Sequence, residues 1–202
     1  FDRKALKVRV KDIWCYVGTG ARSVSFFNFC YFKTITLTSL SVAAVLLYTA
    51  PAFVMIMSSF LFKEEMTKKK VAALAIAFMG CVLVSGVIGG GGTLNVKGVL
   101  VGLGAGFGYA LYSIFGRYAL QRGYNSMTIT FYTFVFATLA TVFMADVSSI
   151  INIVETRPGL SIYAAFMILF VTLFPYWCYT KGLSGMENGT ASVIASIEPV
   201  MA

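Results

Sequence analysis

Seven stretches of this chain are almost free of charge, and no other feature narrows its fold as much. Residues 34–62, 71–96, 98–116, 123–145 and 158–180 carry no Asp, Glu, Lys or Arg. Stretch 12–33 is interrupted between its charged ends only by Arg22, and stretch 188–202 only by Glu198. A hydrocarbon core about 30 Å thick takes about 20 residues of helix, within a range of about 17–25. Six runs reach that length, and the seventh meets the last residue first. Membrane strands would be about 9–11 residues long with alternating polarity, and the runs show neither. The composition agrees: 58% of residues are hydrophobic and 12% charged, with a mean hydropathy of +0.82. Soluble domains average about 45–50% apolar and roughly 25% charged, and so few charges cannot cover a soluble exterior. The expectation is an all-α membrane protein, a polytopic helix bundle with helices at about 12–33, 36–62, 68–88, 98–120, 124–146, 158–182 and 187–202.

The net charge of +8 would suit nucleic acid if it were gathered in one domain. It is spread over the loops instead. With residues 1–11 in the cytoplasm, the inner loops hold Arg3, Lys4, Lys7, Arg9, Lys11, Lys63, Lys68, Lys69, Lys70, Arg117, Arg122 and Lys181. The outer loops hold only Lys33, Lys97 and Arg157, and Arg22 lies within a span. This is the cytoplasmic Lys/Arg excess of a multi-pass protein, expected in the cell membrane, and no basic domain remains for nucleic acid. Cys15, Cys30, Cys81 and Cys178 are isolated, and the chain has no histidine. Histidine-based triads and mixed Cys/His zinc sites are therefore excluded, and neither metal nor cofactor is expected. The basic stretch Arg3–Lys11 precedes a run too long for a signal peptide. With Phe1 rather than Met at the start, the chain is expected to be an internal piece of a longer protein.

The chain also repeats itself. Shifted by 148 residues, Phe26–Val54 lies on Phe174–Ala202 without a gap, so that Cys30-Tyr31-Phe32-Lys33 meets Cys178-Tyr179-Thr180-Lys181 and Pro51 meets Pro199. Each copy has an apolar helix ending in an aromatic cluster and a lysine, a short loop, and a second helix with a proline inside it. Five spans separate the copies. An odd number makes them cross the membrane in opposite directions, the inverted repeat of secondary transporters, whose solute site lies near the midplane between the halves. Gly89–Gly92 offers a flexible seam.

Three stretches carry a family resemblance. Ser39–Gly86 has an alanine-rich helix with a central proline, then Lys63-Glu64-Glu65 at a turn, then Gly80-Cys81-Val82-Leu83 closing the next helix. Gly98–Leu120 is the second stretch, and Gly185–Ala202, with Glu198-Pro199, the third. Together they resemble the two repeats of EamA transporters in the drug/metabolite transporter superfamily. The resemblance implies two EamA-type halves truncated at both ends. Residues 1–88 would be the later part of the first repeat, 89–97 an external linker, and 98–202 a truncated second repeat. It also implies carriage of small solutes by ten helices, of which this chain holds the third to the eighth and part of the ninth. Arg22 departs from the pattern, where small or apolar residues are usual.

The candidate solute or coupling residues are Glu198, Arg22, Pro51, Pro199, Tyr109 and Tyr112. An ionisable group within the membrane is costly and points to function. Arg22 and Glu198 both lie about 15 Å from the inner surface at 1.5 Å per helical residue, so an ion pair is one option and separate water-filled surroundings the other. Burial would raise the pKa of Glu198 and let it carry a proton. Pro51 and Pro199 each remove a backbone donor and kink a helix, baring carbonyls that either line a cavity or merely assist packing. Tyr109 and Tyr112, with Tyr132, Tyr176 and Trp177, either line a solute path or form the interfacial aromatic belt. Gly98, Gly102 and Gly106 have the four-residue spacing that lets helices approach closely. Glu64, Glu65 and Lys68–Lys70 read as a solvated charged turn. The function expected is secondary transport of small metabolites, amino acids or related organic solutes, by alternating access. A membrane-embedded enzyme or a seven-helix receptor is the alternative. The partners to expect are the lipid bilayer and a small-molecule solute, with a homodimer as an option.

Overall fold

The computed structural model describes residues 8–84, 95–143, 145–156 and 158–196, and no strand occurs among them. The first rod begins with a 3-10 turn at Val10–Asp12 and runs through α1 (Ile13–Val17), a π-helical stretch (Gly18–Ser25) and α2 (Phe26–Leu37). Next come α3 (Leu40–Leu47), α4 (Ala50–Phe62), α5 (Lys68–Val84), α6 (Val96–Gln121) and α7 (Ser126–Thr141). The short α8 (Val147–Thr156) leads to a rod made of α9 (Pro158–Met167), a second π-helical stretch (Ile168–Leu173) and α10 (Phe174–Gly185), and then α11 (Asn188–Ala195). Among the described residues three rods are long and apolar enough to cross a bilayer: Leu40–Phe62, Val96–Gln121 and Gly159–Gly185. The sequence reading expects more spans. The first rod carries Asp12, Arg22 and Lys33, α7 is a shorter apolar helix of 16 residues, and the last run passes beyond the described residues.

Helix α8 lies in a connection where the apolar runs predict no element. Val147, Ile150, Ile151 and Val154 fall on one helical face opposite Ser148, Asn152 and Glu155. A short helix of this pattern suits an interface rather than a span.

The bundle is polar inside and apolar outside. Thr19, Thr34, Ser58, Thr128, Thr133 and Thr180 are fully buried, whereas Phe60, Ile76, Phe143 and Ile162 are mostly exposed. Some of these hydroxyls are satisfied within their own helix, as where Thr34 Oγ1 donates to the Cys30 carbonyl at 2.7 Å and Thr180 Oγ1 to the Tyr176 carbonyl at 2.7 Å. Water would reject such an exterior; hydrocarbon accepts it.

Helix α6 is the hub, touching the first rod, α3, α4, α10 and α11. Glycine lets it lie close to the earlier elements. A Cβ on Gly98 would strike Thr38, one on Gly102 would strike Leu46, and one on Gly106 would strike Thr49 and come within 3.1 Å of the Leu46 carbonyl. Against α10 the seam is polar and aromatic. Tyr112 Oη and Thr180 Oγ1 share a 2.5 Å hydrogen bond, Ser113 Oγ and Tyr179 Oη a 2.7 Å one, and the Tyr112 ring stands edge-on to Tyr176 at 4.9 Å.

The internal repeat is visible in the backbone. Under the shift of 148 residues α2 falls on α10, both of 12 residues, and α3 falls on α11, both of eight. The two π-helical stretches end at equivalent positions, Ser25 and Leu173. The residues that close α3 and α11 match as well: Tyr48 has φ −70° and ψ 3°, Ser196 φ −72° and ψ 1°. The contacts with α6 fix the directions. Along the first rod Trp14 meets Phe115, Ser23 donates to the Gly108 carbonyl and Thr38 lies beside Gly98, so that rod runs antiparallel to α6. Along α10 Tyr176 meets Tyr112, and the Leu183 and Met186 carbonyls meet Arg117, so α10 runs parallel to it. The two hairpins therefore point in opposite directions.

Candidate functional site

Pro51 shapes the centre of the bundle. The sequence reading places it inside a kinked helix. In the structure the helix stops at Leu47, turns through Tyr48 and Thr49, and restarts as α4 with Pro51 in its first turn. Proline is favoured there because the first turn needs no amide donor. The missing amide leaves the Leu47 carbonyl, four residues earlier, without its helical partner. Ala195 is the position equivalent to Leu47 under the shift.

A cavity opens between this break and the end of α11. It is lined by Leu47, Tyr48, Ala50, Pro51, Val54, Tyr109, Ser192, Ala195 and Ser196 and offers about 40 Å³ to water. Two pairs of equivalent residues, Leu47 with Ala195 and Tyr48 with Ser196, thus face one space from oppositely directed copies. One water needs about 10–15 Å³ on this measure, so the space holds a few waters and no metabolite, whose sites span about 300–1,000 Å³. The cavity walls are mostly apolar, and the Ser192 and Ser196 hydroxyls donate to the Gly189 and Val193 carbonyls at 2.9 and 2.7 Å. Among the described residues no group of His, Cys, Asp or Glu is arranged to hold a metal.

Of the sequence-derived candidates, Pro51 and Tyr109 line this cavity. Tyr112 does not, being buried in the α6–α10 seam. Arg22 sits in the π-helical stretch on the exposed face, while its neighbours Ser23 and Val24 are buried. Glu198 and Pro199 lie outside the described residues. Gly98, Gly102 and Gly106 face α2, α3 and the turn into α4. Tyr132 packs on Tyr16 at 5.3 Å, and Trp177 lies under the Lys181 ammonium at 5.2 Å.

Two polar assemblies escape the sequence reading, and both lie at the Lys/Arg-rich end of α6. In the first, Asp12 accepts from Tyr124 Oη at 2.7 Å and pairs with Arg9 at 2.9 Å and Arg122 at 3.0 Å, and Arg122 also lies over Trp14. The Tyr124 hydroxyl, then the two guanidiniums, hold the Asp12 carboxyl below the usual carboxylate range. In the second, the α10–α11 turn is gripped from two sides. Arg117 Nη1 donates to the carbonyls of Leu183 at 2.7 Å and Met186 at 3.0 Å, and Asn188 Nδ2 donates to the Ser113 carbonyl at 3.3 Å. From the other copy's flank, Glu64 accepts both backbone amides that open α11, from Asn188 at 2.9 Å and Gly189 at 3.1 Å, and Lys70 pairs with Glu187. The solvated turn expected at Glu64–Lys70 is thus a bridge across more than a hundred residues. One signal for it is present in the sequence. The shift places Glu187 where the first copy has Ser39, putting a residue less favoured as a cap at a capping position.

A sequence profile of the EamA-like transporter family matches in two stretches, residues 1–86 and 96–202. An uncharacterized transporter, YyaM, from Bacillus subtilis (strain 168) is 25% identical over 95% of this chain and 64% of its own length. An uncharacterized transporter from Archaeoglobus fulgidus is 27% identical over 96% of this chain and 68% of its own. A solved crystal structure superposes with a TM-score of 0.70 over 98% of this chain and 66% of its own, at 18% identity, which speaks to the fold alone. The chain spans about two thirds of the length of these proteins. Both curated relatives are named as transporters. With the helical bundle, its apolar exterior and the profile matched across nearly all its length, the chain belongs to the EamA-like transporter family.

Proposed function

We propose that this chain forms the central part of a multi-pass secondary transporter that moves small organic metabolites, amino acids or related solutes, by alternating access. One observation carries the reading. Equivalent residues of two inverted hairpins, Leu47 with Ala195 and Tyr48 with Ser196, line one cavity. That is the position of the solute site in carriers built from inverted repeats. On this reading residues 1–88 and 98–202 are the parts of the two halves, 89–97 joins them, and the Lys/Arg-rich end with residues 1–11 faces the cytoplasm of a cell-membrane protein. Glu198 is the coupling group, taking up and releasing a proton. The internal repeat favours this reading over a receptor, and the match to the EamA-like transporter family favours it over an enzyme.

The test is solute flux by the full-length protein in a deletion host. Ser196→Phe fills the cavity and should reduce flux at least about tenfold, as loss of a positioned contact does, while the protein is still made and inserted. Glu198→Gln should abolish proton-dependent flux. Wild-type flux in a well-inserted Ser196→Phe protein would remove the cavity from the transport path.

A further inference from the structure

The two hairpins cap their second helices differently. In the first, Ser39 caps α3 from within, its Oγ accepting the Val42 amide at 3.3 Å. In the second, the equivalent residue Glu187 makes no side-chain cap. The two amides that open α11 are taken instead by Glu64, 124 and 125 residues away in the other copy's flank. Lys70, a neighbour of Glu64 on that flank, adds the pair with Glu187.

Two kinds of bond therefore hold the α10–α11 turn. Arg117 and the Ser113 carbonyl tie it to α6 within its own half. Glu64 and Lys70 tie it to the opposite half. The first set can stay intact while the halves separate, and the second cannot. The path from this turn leads to the cavity. Gly189 lies against Met55 just beneath Glu64, leaving about 10 Å³ there, while Ser192, Ala195 and Ser196 further along α11 line the cavity beside Pro51 and Val54. From Gly189 to Ser196 is about 10 Å of helix. Glu64 thus sits on the α4–α11 seam, at the opposite end of α11 from the cavity-lining Ala195 and Ser196.

We propose that Glu64 is the latch of the gate at the Lys/Arg-rich end: a carboxylate from one half that closes the cavity by capping a helix of the other, and that must let go when this end opens. The proposal rests on the carrier reading above. Using a carboxylate for this purpose has a physical logic. An anion suits the positive end of a helix, and two bonds from one side chain break together, so the closed state is left in one step.

The test uses the full-length protein, reconstituted, with its other cysteines replaced and Ser192→Cys as a reporter. A membrane-impermeant maleimide is added from the Lys/Arg-rich side, without solute. Glu64→Ala should raise the labelling rate at least about fivefold and Lys70→Ala about twofold, since removing contacts unique to the closed state shifts the population to the open one. Glu187→Ser then gives α11 a local cap like that of Ser39. In the Glu64→Ala background it should restore thermal stability and leave labelling fast. Unchanged labelling in Glu64→Ala, or labelling returned to the parent rate by Glu187→Ser, would show Glu64 to be an ordinary helix cap and overturn the latch. Should Glu64→Ala not fold, Glu64→Asp, shorter by one methylene, should raise labelling about twofold, and no rise there would overturn the latch equally. Flux by the wild-type protein tests the carrier reading separately: flux with unaltered labelling removes only the latch, and altered labelling without flux removes only the carrier.

Discussion

The hairpins α2–α3 and α10–α11 have the same helix lengths and the same closing dihedral angles, yet they are held in place by different means. The first meets α6 through glycine, with Gly98, Gly102 and Gly106 admitting Thr38, Leu46 and Thr49 to the helix surface, and it caps itself with Ser39. The second meets α6 through hydroxyls and rings, Tyr112 with Thr180 and Ser113 with Tyr179, and it takes its cap from Glu64. Helix lengths and the angles that close α3 and α11 are what the repeat preserves. The turns between the paired helices, and the side chains there, are where the copies part company: Thr38 has ψ −103° and its equivalent Met186 ψ 172°.

The steric seam should be the less forgiving of the two. Gly106→Leu forces at least a Cβ onto Thr49 and the Leu46 carbonyl, at the turn that brings Pro51 to the cavity. Overpacking of this kind costs about 3 kcal/mol, enough to lower the yield of inserted protein severely. Tyr112→Phe on the other seam loses one hydrogen bond of about 1 kcal/mol and leaves the ring in place. Thermal unfolding of the two variants in detergent would compare the seams, and equal losses would mean that the glycine contact is looser than its geometry implies.

The caps come next in size. Glu64→Ala removes two charge-assisted bonds and should destabilise by about 2 kcal/mol; Ser39→Ala removes one neutral cap and should cost about 1 kcal/mol. Only the first should change thiol accessibility at Ser192→Cys. A Ser39→Ala protein that labels faster would place a gate at both ends.

Titration gives a gentler probe of the Lys/Arg-rich end. The folded pKa of Asp12 is lowered by Tyr124, Arg9 and Arg122, so its contribution is fully present above the unfolded value of about 3.9 and is lost as pH falls through the lower folded value. Stability measured downward from about pH 5 should therefore decline less steeply in Asp12→Asn than in the parent. Parallel curves would show that the first rod is not anchored through this carboxylate.

Much of this architecture is legible in the sequence, because lipid imposes length and polarity on every helix it touches. The charge-free runs give the rods, and the 148-residue shift gives the paired hairpins down to their ends. The break before Pro51 is half legible: proline announces a lost donor, but not whether the helix bends or stops. Arg22 is ambiguous because a run shows that a charge is enclosed and not which face of the helix carries it. Glu64 is hidden for a different reason. Its local surroundings, Lys63, Glu65 and Lys68–Lys70, are those of any solvated turn, and its partners are backbone amides, which have no identity in a sequence.

The smallest expected effect concerns the residue that aims the latch. Lys63 closes α4 in the left-handed region, at φ 56° and ψ 33°, with its amide on the Ser58 carbonyl. A side chain there costs about 1 kcal/mol, and glycine is the usual occupant of this closing position. Lys63→Gly relieves that strain but enlarges the freedom of the unfolded chain, so the net gain should be about 0.5 kcal/mol. Lys63→Pro cannot reach a positive φ. It should turn the chain away from α11 and reproduce the fast labelling of Glu64→Ala with Glu64 still present. The pair of variants separates the carboxylate from its placement. If Lys63→Pro labels slowly, Glu64 reaches α11 without the left-handed turn, and the difference between the two hairpins lies in the side chain alone.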